Sequence, residues 1–267
     1  KMTGFFCSDP SDAASTGLFD VTHKGWSKSL LDEINLDPTF LPEIRESHQS
    51  AGQIIKTFAN DCDLLEGTPV FVGGGDTPVQ ALGRGVFKEN IISLAISTGG
   101  NLLAVSNKPK IDRKLRIHCL NYVIPGQWYN MAATLSAGYS LRWLKYNFAP
   151  GQSYSDLADM ALKVQSSQGL FFLPHIRGER TPYMDPNSRG VLMGLTAQHQ
   201  LAHIVRAVME GVVFSLRTGL DTLNELGIES QSIFISGGGT MHPLWIRLIT
   251  DILGLPVEVS SFTDAAP

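Results

Sequence analysis

Apolar and polar positions change rhythm several times along the chain, and each change marks an element. Up to about Thr57, short helical stretches mix with polar loops. Ser27 is placed to cap a helix through Leu30, Leu31 and Ile34, whose side chains fall three and four apart. Beyond that point short buried strands alternate with amphipathic helices. Pro69-Val70-Phe71-Val72 reads as a strand ending in Gly73-Gly74-Gly75-Asp76, with a helix over 77–82. Residues 91–96 read as a second buried strand, ending in Ser97-Thr98-Gly99-Gly100. Residues 122–129 read as a hairpin turning at Gly126, and 131–146 as a helix with Leu135, Tyr139, Trp143 and Tyr146 on one face. Another helix starts near Ser155, with Leu157, Met160, Ala161 and Val164 inward. Residues 171–173 form a strand and 177–189 a polar loop with two prolines.

The longest helical pattern runs over 198–226. Leu201, Ile204, Val205, Val208, Val212, Leu216, Leu220 and Leu223 repeat along one face, and Gly227 is placed to end it. Residues 233–235 are a further strand, closing in Ser236-Gly237-Gly238-Gly239. Pro243 opens a helix to about Leu253, at the first-turn position where proline costs little, and 256–259 is a last short strand. Strands alternating with helices, with glycine clusters at strand ends, predict an α/β fold. There is no internal repeat.

Composition narrows the classes. A chain of 267 residues with 43% hydrophobic and 17% charged residues, 26 glycines and 14 prolines is globular and turn-rich, and two domains are expected. The formal charge of -4 comes from 21 basic and 25 acidic residues without a basic block, which argues against a nucleic-acid partner. Cys7, Cys62 and Cys119 lie far apart, as buried thiols of a reducing compartment do. No apolar run nears the ~20 residues that span a bilayer, and no signal peptide is visible. A cytoplasmic protein without membrane contact is expected. The ends, Lys1 and Ala265-Ala266-Pro267, do not resemble natural termini, so a truncated chain is expected. Oligomeric state is left open, a homodimer included.

The glycine clusters at 73–75, 99–100 and 237–239 each follow an apolar strand. Glycine lets phosphate oxygens approach backbone amides, and a helix start beyond the turn adds a favourable dipole. One cluster means little, whereas three in one α/β chain tilt the balance towards a phosphate-bearing ligand. Neither a GxxxxGK[ST] loop nor a GxGxxG turn is present, so a nucleotide needs another architecture. Asp76 can be read two ways, as the N-cap of the following helix or as a general base on a substrate hydroxyl. Spacing alone favours the cap. His199 and His203 lie four apart but lack the intervening glutamate of a zinc helix, so they are read as surface residues, and no metal ligands are assigned. Arg177, Glu179 and Arg180 fit either a cleft or a structural ion-pair loop. Trp128, Trp143 and Tyr139 are read as core packing, and Asp251 as solvated.

GGGDTPVQALGRG (73–85), SLAISTGGNL (93–102), GERTPYMDPNSRGVLMGLT (178–196) and SGGGTMHPLWIRLITDILG (236–254) resemble, in order and spacing, the FGGY family of carbohydrate kinases. The GERTP segment with Arg189-Gly190 most resembles its xylulokinases. The likeness runs from about Asp9 to the end. It implies a ribonuclease-H-like fold of the actin/hexokinase ATPase type: two domains with a cleft, here truncated. Residues 1–88 would belong to the sugar-side domain and 89–267 to the nucleotide-side domain. It implies transfer of the γ-phosphate of Mg-ATP to a sugar hydroxyl, D-xylulose first, with ATP/ADP and Mg²⁺ as cofactors. Asp76 would be the catalytic base at the sugar. Ser97, Thr98, Gly99 and Gly100 would contact the phosphates. Gly237, Gly238 and Gly239 would lie against the adenosine, with Trp245 behind. The family's DxGT phosphate-and-metal hairpin and much of its sugar pocket are absent, so a complete active site is not expected. A kinase for glycerol, gluconate or ribulose, or a non-catalytic nucleotide-binding module, would share these motifs.

Overall fold

The computed structural model describes residues 2–236 and 242–259. Its centre is a six-stranded sheet in the order Val257–Val259, Ser232–Ser236, Ile91–Ile96, Gly100–Ser106, Trp128–Thr134, His118–Asn121. The first two steps are parallel and the remaining three antiparallel. Period-two alternation divides the side chains between two cores, as a pleated strand buried on both faces requires. Ile92, Leu94, Ile96, Leu102, Ala104, Ala132, Ile233 and Ile235 point to one face. Leu103, Val105 and Tyr129, with Ile91, Met131 and Phe234, point to the other.

The larger core is closed by four helices, Gly138–Phe148, Tyr154–Lys163, Leu201–Glu225 and Pro243–Leu253. The 25-residue helix buries Val205, Val208, Val212, Leu216, Leu220 and Leu223, the stripe expected from the sequence. It ends where Gly227 takes a left-handed φ of 69° and Ile228 N–H returns to the Leu223 carbonyl, a Schellman-type stop. Pro243 stands in the first turn of its helix, as predicted, and Gly254 closes it at φ 72°. The opposite face of the sheet is covered by the Asp76–Gly83 helix through Val79 and Ala81, and by Tyr122 and Val123.

Before residue 69 the chain forms small pieces: parallel Cys7–Ser8 and Glu43–Ile44, a Phe19–Asp20/Gly25–Trp26 hairpin, and Ser50–Gln53 antiparallel to Pro69–Phe71. Ser27 does precede the Lys28–Glu33 helix, but its hydroxyl meets Ser29 Oγ instead of capping, and only Leu31 of the expected apolar face is buried.

The helix expected over 131–146 is a correction. Trp128–Thr134 is a strand, paired in register with Gly100–Ser106 from Trp128↔Ser106 to Thr134↔Gly100, and the helix begins at Gly138. With both faces of that strand buried, the polar alternation that marks a strand disappears, and Met-Ala-Ala-Thr-Leu ran on into the genuine helical stripe. The expected hairpin at 122–129 is shifted for the same reason: its strands are His118–Asn121 and Trp128–Thr134, with 122–127 as the connection. Gly100–Ser106 and His118–Asn121 were not expected as strands.

The long helix crosses the Phe171–Leu173 strand at Gly211, where a Cβ would overlap the Phe172 carbonyl oxygen. Gly211→Ala is expected to lower stability by about 2 kcal/mol, the usual cost of overpacking, despite alanine's better helix propensity. A urea denaturation midpoint at or above that of the unmodified chain would show that the two elements can separate freely.

Candidate active site

Asp76 is set by a turn that admits only glycine at two points. Gly73 has a φ of 79°, and a Cβ on Gly74 would overlap Val123 Cγ1. The turn is then fastened to the start of the chain. Gly75 N–H donates to Ser11 Oγ at 3.0 Å, and Ser11 Oγ donates to Asp9 Oδ2 at 2.6 Å. The same oxygen accepts from Ser47 Oγ at 2.8 Å, and Asp9 is buried at 3% exposure. A buried carboxylate survives because every approach to it is a donor.

The helix has Gly75 at its N-cap, so Asp76 is its first residue and the cap reading needs correcting. Its Oδ1 accepts from Thr77 N–H at 2.5 Å and Thr77 Oγ1 at 3.2 Å. A carboxylate in the first turn is still favoured by the helix dipole, and this one stays exposed. Burial pushes the Tyr129 phenol well above its ordinary pKa, and the Asp76, Asp9 and Asp12 charges push it further, so the ring lies within the field of Asp76. A small gap of about 30 Å³ places Thr77 and Gln80 of this helix and Arg84 at its C-cap against Ser93, Ala95 and Asn101. Those are residues of the two strands joined by the 97–100 turn.

That turn opens on the main cleft, of about 560 Å³, within the usual range for small-molecule sites. Ser97 and Thr98 line it, as do Gly138 and Tyr139, Tyr154 and Ser155, and His242. The starts of three helices therefore converge on one space, and their dipoles favour an anion there. Leu141, Ala158 and Trp245 make the wall apolar elsewhere. The turn is locked to the first helix: Gly138 N–H donates to Ser97 O at 2.9 Å and Tyr139 N–H to Thr98 O at 3.0 Å. His242 Nδ1 accepts from Leu244 N–H at 3.1 Å, which leaves Nε2–H to donate to Asp159 Oδ1 at 3.2 Å.

Of the residues singled out in the sequence, Ser97 and Thr98 face the cleft. Gly99 and Gly100 do not line it, and close packing accounts for both. A Cβ on Gly99 would meet the Thr134 carbonyl, and one on Gly100 would come within 2.9 Å of Leu216 Cδ2. Gly237, Gly238 and Gly239 lie outside the described residues, although His242 and Trp245 just beyond them line the cleft. Tyr139 is not core packing: it is part of the cleft wall, and so is Arg142, which the sequence reading passed over. The signal for both was the strand-to-helix boundary at 134–138, which the misread helix hid. Trp143 does pack, stacked on Phe172 at 6.1 Å between centroids. Trp128 is half-buried, with its Nε1–H on Val21 O.

The 177–189 loop divides the three charged residues singled out in it, Arg177, Glu179 and Arg180. Glu179 is buried and structural: Oε1 accepts from Leu135 N–H at 3.0 Å and Arg180 N–H at 2.7 Å, while Oε2 faces Ser215 Oγ and His175. Arg180 donates to His118 Nε2 at 2.6 Å. Arg177 places its guanidinium 5.2 Å from the ring centre of Tyr139, a residue of the cleft wall. His203 is buried, not at the surface as expected. It receives Gln200 N–H at the start of the long helix, and the His199 ring stands edge-on to it. Asp251 is exposed and pairs with Arg247. Among the described residues no three His, Cys, Asp or Glu side chains cluster as a metal site. Mg²⁺ commonly binds through substrate phosphates and water plus one or two carboxylates, so it does not fit here as a protein-caged ion.

Two protein-family profiles match the chain: the FGGY family of carbohydrate kinases, N-terminal domain, over residues 1–83, and the C-terminal domain of the same family over residues 94–267. The chain belongs to the FGGY family of carbohydrate kinases. It is 34% identical to the xylulose kinase of Bacillus subtilis, over 96% of this chain and 52% of that protein. It is 38% identical to the xylulose kinase of Lactococcus lactis, over 94% and 50%. The ligand-bound xylulose kinase of Lactobacillus acidophilus superposes with a TM-score of 0.93 at 25% identity, over 99% of this chain and 55% of that one. Plasmodium falciparum glycerol kinase with ADP superposes at 0.90 and 23% identity, over 98% and 53%, and so speaks for the fold alone. The fold is the ribonuclease-H-like fold of these sugar kinases and of the actin/hexokinase ATPases. This family member spans about half the length of the curated relatives it matches.

Burial, and then the Arg180 charge, hold His118 below its ordinary value of 6.5, which leaves Nε2 free to accept from Arg180. The unfolded chain takes up this proton as pH falls through about 6.5, while the folded protein takes it up only lower. The contribution of this group to stability is therefore complete above that value and is lost as pH drops below it. His118→Gln, which keeps an acceptor for Arg180, is expected to flatten the fall in urea midpoint between about pH 7 and 5. An unchanged slope would assign the acid sensitivity to other groups.

Proposed function

We propose that this chain serves the ATP-dependent phosphorylation of a sugar hydroxyl, with D-xylulose as acceptor and D-xylulose 5-phosphate as product. The observation that carries the reading is the convergence of three helix starts and the Ser97–Thr98 turn on one cleft, in a chain of this family. An anion-favouring floor beside an apolar wall suits a nucleotide, with phosphates at the turn and the base towards Ala158 and Trp245. Membership of the carbohydrate kinase family and the name borne by the bacterial relatives support ATP and xylulose in turn.

Phosphoryl transfer depends on positioning and charge neutralisation more than on covalent chemistry. Asp76, at the mouth of its glycine turn with one oxygen held by Thr77, would accept the proton of the attacking hydroxyl. The Asp9–Ser11–Gly75 bonds would hold its backbone. Ser97 and Thr98 would receive the phosphates, and the 237–239 glycines the adenosine. Mg²⁺ would arrive with ATP, supplying charge neutralisation between the phosphates. Residues 1–88 would form the sugar side and 89–267 the nucleotide side of the cleft, in the cytoplasm where ATP is made available to such enzymes.

Asp76→Asn is expected to cut sugar-dependent ATP consumption by about 10²–10⁴-fold, the usual contribution of a general base, with calorimetric ADP affinity unchanged. A panel of D-xylulose, glycerol, gluconate and ribulose reads out the acceptor. Equal loss of ADP affinity would reduce Asp76 to a structural residue. ADP binding without turnover on any acceptor would leave a nucleotide-binding module.

A further inference from the structure

Tyr139 holds two guanidinium groups at once. Arg142 Cζ lies 4.8 Å and Arg177 Cζ 5.2 Å from the centre of its ring. The two arginines come from different elements, one from the Gly138–Phe148 helix and one from the loop after Phe171–Leu173. Both are exposed. Arg45, Arg116, Arg206, Arg217 and Arg247 each have a carboxylate partner, whereas neither Arg142 nor Arg177 forms such a pair among the described residues. Two like charges gathered on one ring repel each other, and the face of a single phenol repays only part of that.

Their place suggests what repays the rest. Tyr139 and Arg142 line the same cleft as Ser97 and Thr98, and Arg142 stands one turn along the helix from Gly138, whose amide is tied to Ser97. The amides of Gly138 and Tyr139 are already spent on the Ser97 and Thr98 carbonyls, so they offer no donors to an anion. To the Ser97 and Thr98 hydroxyls at this end of the cleft the guanidiniums would add charged donors in the planar fork that suits phosphate.

We propose that Arg142 and Arg177, aligned by Tyr139, form a clamp for the polyphosphate of a nucleoside di- or triphosphate in this cleft. The assignment rests on the nucleotide reading above and adds to it two binding residues and their aligner. Tyr139 would act by stacking, keeping two flexible cations in one place before the ligand arrives, which lowers the ordering cost of binding.

The test compares ADP with adenosine, which offers the same base and ribose without phosphate, by calorimetry on the full chain and its variants. Arg142→Ala and Arg177→Ala are each expected to weaken ADP about tenfold, or about 1.4 kcal/mol, while adenosine affinity stays within about twofold. The double alanine variant should also show a shallower salt dependence of ADP binding. ADP affinity unchanged in the double variant would overturn the clamp and leave the nucleotide reading standing, whereas a wild-type chain that binds neither ligand would overturn both. If the double alanine variant loses both ligands, the Arg142→Lys, Arg177→Lys protein decides. Charge kept at both positions should restore ADP binding to within about tenfold, and failure to restore it would overturn the clamp.

Discussion

The cleft exists because two backbones touch where no side chain could stand between them. Gly138 and Tyr139 donate to Ser97 and Thr98, and a Cβ on Gly138 would overlap the Ser97 carbonyl oxygen. This contact ties the hairpin turn of the sheet to the first helix that leaves it. Both partners are held from behind: the strands by the buried stripe of Ile92, Leu94, Leu102 and Ala132, and the helix by Leu141 and Leu144. The direction of the helix start, and with it Tyr139 and Arg142, follows from that joint. Two hydrogen bonds hold the turn, and a Cβ at Gly100 would come within 2.9 Å of Leu216 Cδ2, so the floor of the cleft is tightly packed.

On the other side of the sheet the constraint is polar. Asp9 is buried with its oxygens occupied by Ser11, Ser47 and the Ser11 and Asp12 amides, and Ser11 passes the connection to Gly75. A residue near the start of the chain thereby fixes the turn before Asp76, across more than sixty positions of sequence. Removing any member would strand a buried donor or acceptor, which costs more than the bond itself contributes. The two sides meet at the small gap between the Asp76–Gly83 helix and the strands flanking the 97–100 turn, which makes their spacing a property of the sheet.

How much of this the sequence disclosed depended on whether the signal was local. The 25-residue helix, its stop at Gly227 and the Pro243 start were readable because periodicity, glycine and proline act over a few residues. The strand at 128–134 was not, because burial on both faces erased its alternation, and that error concealed the boundary on which Tyr139 and Arg142 sit. The glycines at 99 and 100 were legible as special, but the close packing they allow was not: a Cβ there would meet Thr134 and Leu216, residues distant in sequence. Glu179 illustrates the same limit, since nothing nearby in sequence tells that its carboxylate takes the Leu135 amide. Asp76 alone was placed closely from its neighbours, although as the first helical residue and not the cap.

Net charge is a poor guide to what such a cleft attracts. The chain carries -4 overall, yet the cleft is lined by three helix starts and Arg142, with Arg177 against the Tyr139 ring. Among the described residues no acid lines the cavity, and two carboxylates of the neighbouring Tyr154–Lys163 helix are engaged: Asp159 accepts from His242, and Asp156 caps its own helix through Ser153. At physiological ionic strength charges farther than about 8 Å are largely screened, so the acidic excess elsewhere on the surface weighs little against groups lining the cavity. Selectivity for an anion would therefore be a local arrangement, produced where a glycine joint brings backbone dipoles together and an aromatic ring holds cations that form no ion pair among the described residues.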